Sequence, residues 1–363
     1  MKYREQHIDK VLFMFVLALM FIGILLVFSS TVYIANLKYD SATYFLENHI
    51  LRVLIGFAVM VFFIVFVDYK KLKDWAFYIF AVSLILLVLV LFIGKGTAKR
   101  WLVLGPVSVQ VSELAKLALI IYLAYLVEKN AHRLTSFKLG FLPLFAVIVA
   151  VSGLIVLQKS FTMAFIVFST GMILLFLGGV RIGHLSVGLA LGLVVSALML
   201  IIEPYRFQRL LAYLGFEDAR QGVKHQAVQA LIGLGNGGLF GVGLGHSKQR
   251  ELYLPLAYDD YIFSIFGEEY GFIGSLVLIF IFFVIFYRGI RIAKYTPDEF
   301  GKILASGITF VIFLTAVVHI AVVSGILPPT GIPLPFVSYG GTAMIVNCAS
   351  VGILLNISKQ IKH

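Results

Sequence analysis

Residues 254–274 read LPLAYDDYIFSIFGEEYGFIG, and the apolar run that begins here continues to about Tyr287. A proline and two adjacent aspartates, Asp259 and Asp260, open a segment that becomes hydrophobic without a break. Its length is that of a membrane-spanning helix. Two more acids, Glu268 and Glu269, lie inside it. Carboxylates at the mouth of a span, and deeper within one, are costly to place there, and their default reading is functional. The rest of the chain reads as scaffold and electrostatic support for this stretch.

Composition agrees. Of 363 residues, 61% are hydrophobic and 13% charged, with a mean hydropathy of +1.01, which excludes a soluble globular domain. The apolar runs do not alternate with polar residues, which excludes a membrane β-barrel. The expected fold is an all-α polytopic integral membrane protein, a single domain over 1–363. About ten transmembrane helices are expected, near 11–35, 50–67, 75–94, 112–127, 142–157, 162–179, 185–202, 260–287, 303–325 and 338–357. Lys and Arg are enriched in alternate short loops, with Arg52 counted among the fewer charges of the outer loops, so both termini are expected to be cytoplasmic. One large extracytoplasmic loop, 203–259, then falls between helices 7 and 8. Short amphipathic helices on the membrane surface are expected within it. The net charge of +11 is scattered among loops rather than striped on one face, which argues against nucleic acid as a partner and for topology and an anionic lipid ligand. Cys348 is the single cysteine and can form no intrachain disulfide. The first apolar run exceeds a signal-peptide core and reads as an uncleaved first helix.

Several residues could carry chemistry. Gly235, Gly237, Gly238, Gly241, Gly243 and Gly245 resemble a nucleotide loop, but no strand precedes them and no Gly-Lys-Ser/Thr follows, so tight turns and close packing explain them better. Glu113 and Lys116 lie three apart on one helical face, either as a structural ion pair or with the lysine facing an anionic substrate. Arg206 and Arg209, in EPYRFQR after the seventh helix, can clamp phosphate oxygens or snorkel to headgroups. Asp259 is expected as N-cap of the eighth helix, with Asp260 in its first turn as a general base; both could equally be caps. Glu268 and Glu269 are expected to pair with a basic residue of a neighbouring helix. No cluster has metal-ligand spacing.

These motifs together resemble the SEDS (shape, elongation, division, sporulation) proteins, the FtsW/RodA group of peptidoglycan polymerases, over nearly the whole chain. RWLVLGPVSVQVSELAKL (100–117), EPYRFQRL (203–210), QALIGLGNGGLFGVGLGHSKQRELYLP (229–255), YDDYIFSIFGEEYGFIG (258–274) and LPPTGIPLPFVSYGGTAMIVN (327–347) are similar to the family's characteristic segments, and GVGLGHSKQ with the Pro-rich loop reads closer to the FtsW branch. Three departures stand out. Gln158, Lys159, Ser160, Phe161 and Thr162 replace a segment that in the family usually carries an acid. Tyr258 and Asp259 precede Asp260 where the family has His-Thr. Val111 replaces a proline at a helix entry.

The resemblance implies a peptidoglycan glycosyltransferase with lipid II as substrate, acting at the outer face of the bacterial cytoplasmic membrane, in septal synthesis or in RodA-type elongation. It puts Asp260 at the catalytic position and assigns Lys116, Glu113, Arg206, Arg209 and Ser338 to substrate binding. It implies no resident cofactor beyond a divalent cation, Mg or Mn, at the leaving diphosphate. The implied partners are a class B penicillin-binding protein transpeptidase and other divisome membrane proteins. A lipid II flippase is the rival from another class, since intramembrane charges suit transport as well.

Overall fold

The computed structural model describes residues 8–94, 100–105, 107–202, 221–254 and 257–361, with Phe207, Leu211 and Tyr213. Its helices are α1 (Lys10–Tyr39), α2 (Tyr44–Val65), α3 (Tyr69–Ile93), α4 (Val111–Lys129), α5 (Leu142–Leu157), α6 (Phe161–Leu177), α7 (Ile182–Ile202), α8 (Gln221–Asn236), α9 (Ile262–Tyr295), α10 (Glu299–Val323) and α11 (Gly341–Ser358). Each of the ten expected segments holds a helix, and α8 lies inside the long loop. Among the described residues, eight helices are long and apolar enough to cross a bilayer. The two others differ for visible reasons. α5 reaches spanning length with the helical turn Phe137–Phe141 before it, whereas α6 has only its 17 residues, and α4 carries Glu113, Lys116 and Glu128. Both are enclosed by neighbours: α4 packs on α3, α6 and α10, and α6 on α5 and α10. Helices apolar all round belong in lipid or in a bundle core, and side chains such as Phe92 and Leu193 remain exposed on the rim.

Boundaries moved where polar residues extend a helix beyond its apolar run. Asp68 accepts from Lys70 N at 3.0 Å and starts α3 at Tyr69 rather than near 75. Asp9 and Asp298 cap α1 and α10, accepting from Leu12 N at 2.9 Å and Gly301 N at 2.8 Å. α2 starts at Tyr44, so Arg52 is a helical residue rather than a loop charge. α9 continues to Tyr295 and carries Arg288, Arg291 and Lys294 in its last turns. One element was not expected: an antiparallel hairpin, β1 (Trp101–Leu104) with β2 (Val107–Gln110), paired from Trp101↔Gln110 to Leu104↔Val107. Gly105 turns it with φ +62°.

Small residues set the tightest packing, as is usual between helices in lipid. Gly56 of α2 faces Cys348, and Gly352 of α11 faces the Met60 backbone. At one end of this pair Asn356 Nδ2 donates to Phe63 O and Ile64 O at 3.2 and 3.1 Å, while its Oδ1 accepts from Tyr69 N at 3.2 Å.

The glycine-rich stretch has a structural task. α9 is broken at Gly271, whose φ of 69° and ψ of −166° leave the helical region. The segment 238–243 fills the gap. Val242 N and Gly243 N donate to Glu268 O and Glu269 O at 3.0 Å each, and Phe272 N and Ile273 N donate to Gly238 O and Leu239 O at 2.9 and 3.1 Å. The loop therefore completes the hydrogen bonding of a helix interrupted inside the protein, where bare amides and carbonyls are costly. A Cβ at Gly237 would collide with Gly267 O, and one at Gly241 with Glu269 O.

Gly241→Ala, which also faces φ +84°, is expected to lower stability by more than about 1 kcal/mol. Gly235→Ala, in α8 with open space around it, is expected to leave stability unchanged or raise it. Thermal unfolding of the detergent-purified variants checks this; equal loss in both would contradict the splice.

Candidate active site

Asp259 and Asp260 stand in the turn 257–260 that precedes α9. The N-cap of α9 is Tyr261, with no side-chain capping bond, so the expectation that Asp259 caps this helix is corrected. The turn is held from outside. Tyr339 N donates to Tyr258 O at 3.0 Å. Ser338 Oγ donates to Asp259 O at 2.8 Å and accepts from Leu334 N at 2.8 Å.

The loop that makes these bonds is the proline-rich segment after α10. Its prolines limit the available backbone angles, and its neighbours fix the rest. His319 Nδ1 of α10 lies 2.7 Å from Ile332 O. Gly23 of α1 approaches so closely that a Cβ there would lie 2.7 Å from Phe336 O. Phe336 is buried with φ 65°, a conformation that costs a non-glycine residue energy and persists only when the surroundings enforce it. Gly331 then passes beside the acids: a Cβ on it would lie 3.4 Å from Asp260 Oδ2. With φ +125°, this position also suits glycine alone.

Two arginines face the pair. Burial and the Asp260 charge push the Asp259 carboxyl up to about 8, while Arg100 and Arg52 pull it down. The net direction is that of a carboxyl removed from water, reinforced by the neighbouring Asp260 charge. Arg52 also stacks on Tyr339, its Cζ 4.4 Å from the ring centroid. Tyr339 packs edge-on against Tyr258 and Phe45, with centroids 5.7 and 5.6 Å apart. The Arg52 and Arg100 charges thus act on the acids, and aromatic rings pack beside Arg52.

The other expected site residues fall in different places. Ser338 is at the site, but it is buried and its hydroxyl is committed to backbone groups. Glu113 and Lys116 are buried and bond to each other at 2.6 Å. Their helix joins the site region through Gln110 N, which donates to Thr342 Oγ1 at 3.0 Å. Thr342 follows Gly341, beside Arg52. Glu203, Arg206 and Arg209 lie outside the described residues.

Among the described residues, no ion pair joins Glu268 or Glu269 to a basic side chain as expected. Glu268 accepts from Ser247 Oγ, from Gln249 N at 3.2 Å and from Asn236 Nδ2 at 3.3 Å. Glu269 accepts from Ser29 Oγ and from Gly245 N at 3.0 Å. Neutral donors from the long loop and α1 make these bonds, and the nearby Arg250 Nη1 donates instead to Ser29 O at 3.3 Å. In the 158–162 departure, Gln158 is buried with Nε2 donating to Leu87 O at 3.2 Å, and Lys159 takes φ 59°. No group of three or more His, Cys, Asp or Glu converges as a metal site among the described residues.

Arg52, Arg100, Gly331 and Tyr339 were missed as site residues. Arg100 and Tyr339 sit within motifs quoted above, so their signal was present. Arg52 was hidden by being counted among the loop charges at the edge of its expected helix.

The raised carboxyl predicts a pH signature. The folded state keeps a proton on Asp259 that the unfolded chain has released above about pH 4. Folded stability therefore falls as pH rises from about 4 to 8 and levels off above. Asp259→Asn removes that loss, so the variant's advantage in thermal unfolding should grow between pH 5 and 8. Parallel pH curves for the two proteins would contradict the assignment.

Comparison with known proteins follows the same lines. The family profile described as "Cell cycle protein", covering FtsW, RodA and SpoVE, matches residues 9–363. A probable peptidoglycan glycosyltransferase FtsW of Trichlorobacter lovleyi is 38% identical over 364 residues, covering 99% of this chain and 95% of that one. Stage V sporulation protein E of Bacillus subtilis is 37% identical over 365 residues, covering 98% of each. A chain solved under "Structural coordination of polymerization and crosslinking by a peptidoglycan synthase complex" superposes with a TM-score of 0.79 at 26% identity and covers 97% of both chains. An aspartate-to-alanine mutant of the rod shape determining protein RodA of Thermus thermophilus gives 0.69 at 25% identity, with 98% and 99% covered. With matches that run the length of the chain in both sequence and fold, this multi-pass membrane protein belongs to the FtsW/RodA/SpoVE family.

Proposed function

We propose that this chain is a peptidoglycan glycosyltransferase that polymerises lipid II into glycan strands at the outer face of the bacterial cytoplasmic membrane, in septal synthesis. The observation that carries the reading is the Asp259–Asp260 pair, held beside Gly331 and faced by Arg52 and Arg100. Relatives described as peptidoglycan glycosyltransferases support it.

In this reading Asp259 retains the pair's proton and Asp260 carries its negative charge. Asp260 accepts the proton of an acceptor sugar hydroxyl as that oxygen attacks the anomeric carbon of the donor. The bond from that carbon to the diphosphate breaks, and polyprenyl diphosphate departs with the electron pair. A single displacement inverts the anomeric centre. Arg52 and Arg100 offset the charge that grows on the leaving group, as guanidinium forks do for phosphate oxygens; Arg206, Arg209 and Lys116 would add to them. Ser338 positions the acids through Asp259 O, and the Glu113–Lys116 pair fixes the entry of α4. A divalent cation would be held by Asp260, the ionised member of the pair, and would supply charge neutralisation at the diphosphate.

A class B penicillin-binding protein transpeptidase is the proposed partner, in keeping with the synthase complex that holds a structural relative. The proposed orientation places both termini in the cytoplasm. The end of the bundle that carries Lys70, Lys71, Lys73, Lys302 and Lys359 is then inside, and the acid pair, at the far end of α9, is outside. With Cys348 replaced, a cysteine at Gly222 should react with an impermeant thiol reagent in intact cells. Labelling only after lysis would reverse the orientation.

The reaction itself is tested with purified protein, its transpeptidase partner and lipid II. Asp260→Asn should lose about 10²–10⁴-fold in glycan synthesis while still inserting and holding its partner. Asp259→Asn, which mimics the protonated acid, should keep most of the rate. A dead Asp259 variant beside an active Asp260 variant would exchange the two roles. Full activity in both would remove the polymerase centre from this turn and favour transport.

A further inference from the structure

At the end of α9 opposite the acids, a cavity of about 300 Å³ is lined by Asp9, Arg288, Arg291, Ile292, Tyr295, Ser358 and Ile361. The proposed chemistry leaves it without a task. Its frame is rigid. Arg288 Nε donates to both oxygens of Asp9 at 3.1 and 2.9 Å, and Nη2 to Oδ2 at 2.6 Å. Asp9 N donates to Ser358 Oγ at 3.0 Å, and Asp9 Oδ1 also caps α1. One carboxylate thus ties the start of α1 to the last turns of α9 and α11.

Arg291 lies one helical turn beyond Arg288 and lines the same cavity. Asp9 offsets the charge of Arg288, whereas Arg291 is exposed and meets no acid in the ion pairs of the described residues. Ile292 and Ile361 add apolar side chains to the lining, and Tyr295 an aromatic ring. The cavity sits where the apolar faces of α1, α9 and α11 give way to charge, the depth of a headgroup layer. Its volume is at the lower end of the range for small-ligand sites, about 300–1,000 Å³.

We propose that this cavity binds the phosphodiester headgroup of an anionic phospholipid, with Arg291 on the phosphate and Ile292 and Ile361 against the glycerol and upper acyl chain. A basic cavity between spans at the charged membrane face is the setting in which anionic headgroups bind. The amphiphilic lining separates a lipid from a free anion. Inorganic phosphate could use Arg291 but would leave the apolar side chains wet. Bound lipid would hold together the three helix ends that Asp9 already joins, and so stabilise the folded protein by mass action.

The experiment uses the full-length protein in a zwitterionic detergent, supplied separately with phosphatidylglycerol, phosphatidylcholine and inorganic phosphate. Thermal unfolding and native mass spectrometry are the readouts. Phosphatidylglycerol should raise the unfolding temperature and stay bound, and the other two should do neither. Arg291→Gln should weaken phosphatidylglycerol binding about tenfold or more, the loss of one charge-assisted bond. Lys294→Gln, exposed nearby on α9 but outside the cavity lining, should change it less than about twofold. Two observations would overturn the site: equal effects of phosphatidylglycerol and phosphatidylcholine, or equal effects of the two substitutions. Stabilisation by inorganic phosphate alone, with displacement of the lipid, would replace the lipid by a free anion.

Discussion

The hydroxyl of Ser338 joins the proline-rich loop to the turn that carries the acids. It donates to Asp259 O and accepts from Leu334 N, and the neighbouring Tyr339 N closes a second bond to Tyr258 O. An acid pair at the mouth of a span is pulled toward water by its charge and gains little from remaining near two arginines unless the backbone is fixed. Here backbone bonds from Ser338 and Tyr339 do the fixing. The strained Phe336 and the close pass of Gly23 indicate how firmly the loop is held.

A second constraint works deeper in α9. Breaking a helix inside a membrane protein exposes amides and carbonyls that lipid cannot satisfy. The 238–243 segment supplies the missing partners, and Glu268 and Glu269 anchor the loop's flanks through serines and backbone amides. The turn at 257–260 and the splice at Gly271 stand at opposite ends of the first part of α9. That short, doubly held segment is the rigid base on which the acids stand.

Much of this was legible in the sequence. Apolar run length located all ten expected helices, because in lipid a long apolar segment has few alternatives to a helix. The stretch 254–274 held both the acid pair and the helix break, and the motifs located the Pro-rich loop. What was not legible depended on tertiary partners. Asp259 looks like a cap when read locally, but the helix starts two residues later, after a turn whose backbone is bonded by Ser338 and Tyr339. Glu268 and Glu269 looked like ion-pair partners because nothing in the sequence indicates that residues 236–249 fold back onto them. Arg52 was counted as a loop charge because Glu47, Asn48 and His49 interrupt the apolar signal in the first turns of α2. The hairpin before α4 went unread because four-residue strands leave too little alternation to recognise.

The central claim is that Ser338 acts through the acid pair rather than by touching substrate. Steady-state glycan synthesis by Ser338→Ala with varied lipid II tests it most directly, with Ser338→Thr as the variant that keeps the hydroxyl. A positioning role predicts that kcat falls in the alanine variant while KM for lipid II stays within about twofold of the parent, and that threonine restores most of the rate. A raised KM with unchanged kcat would contradict the account and make Ser338 a substrate-binding residue, as the resemblance alone implies.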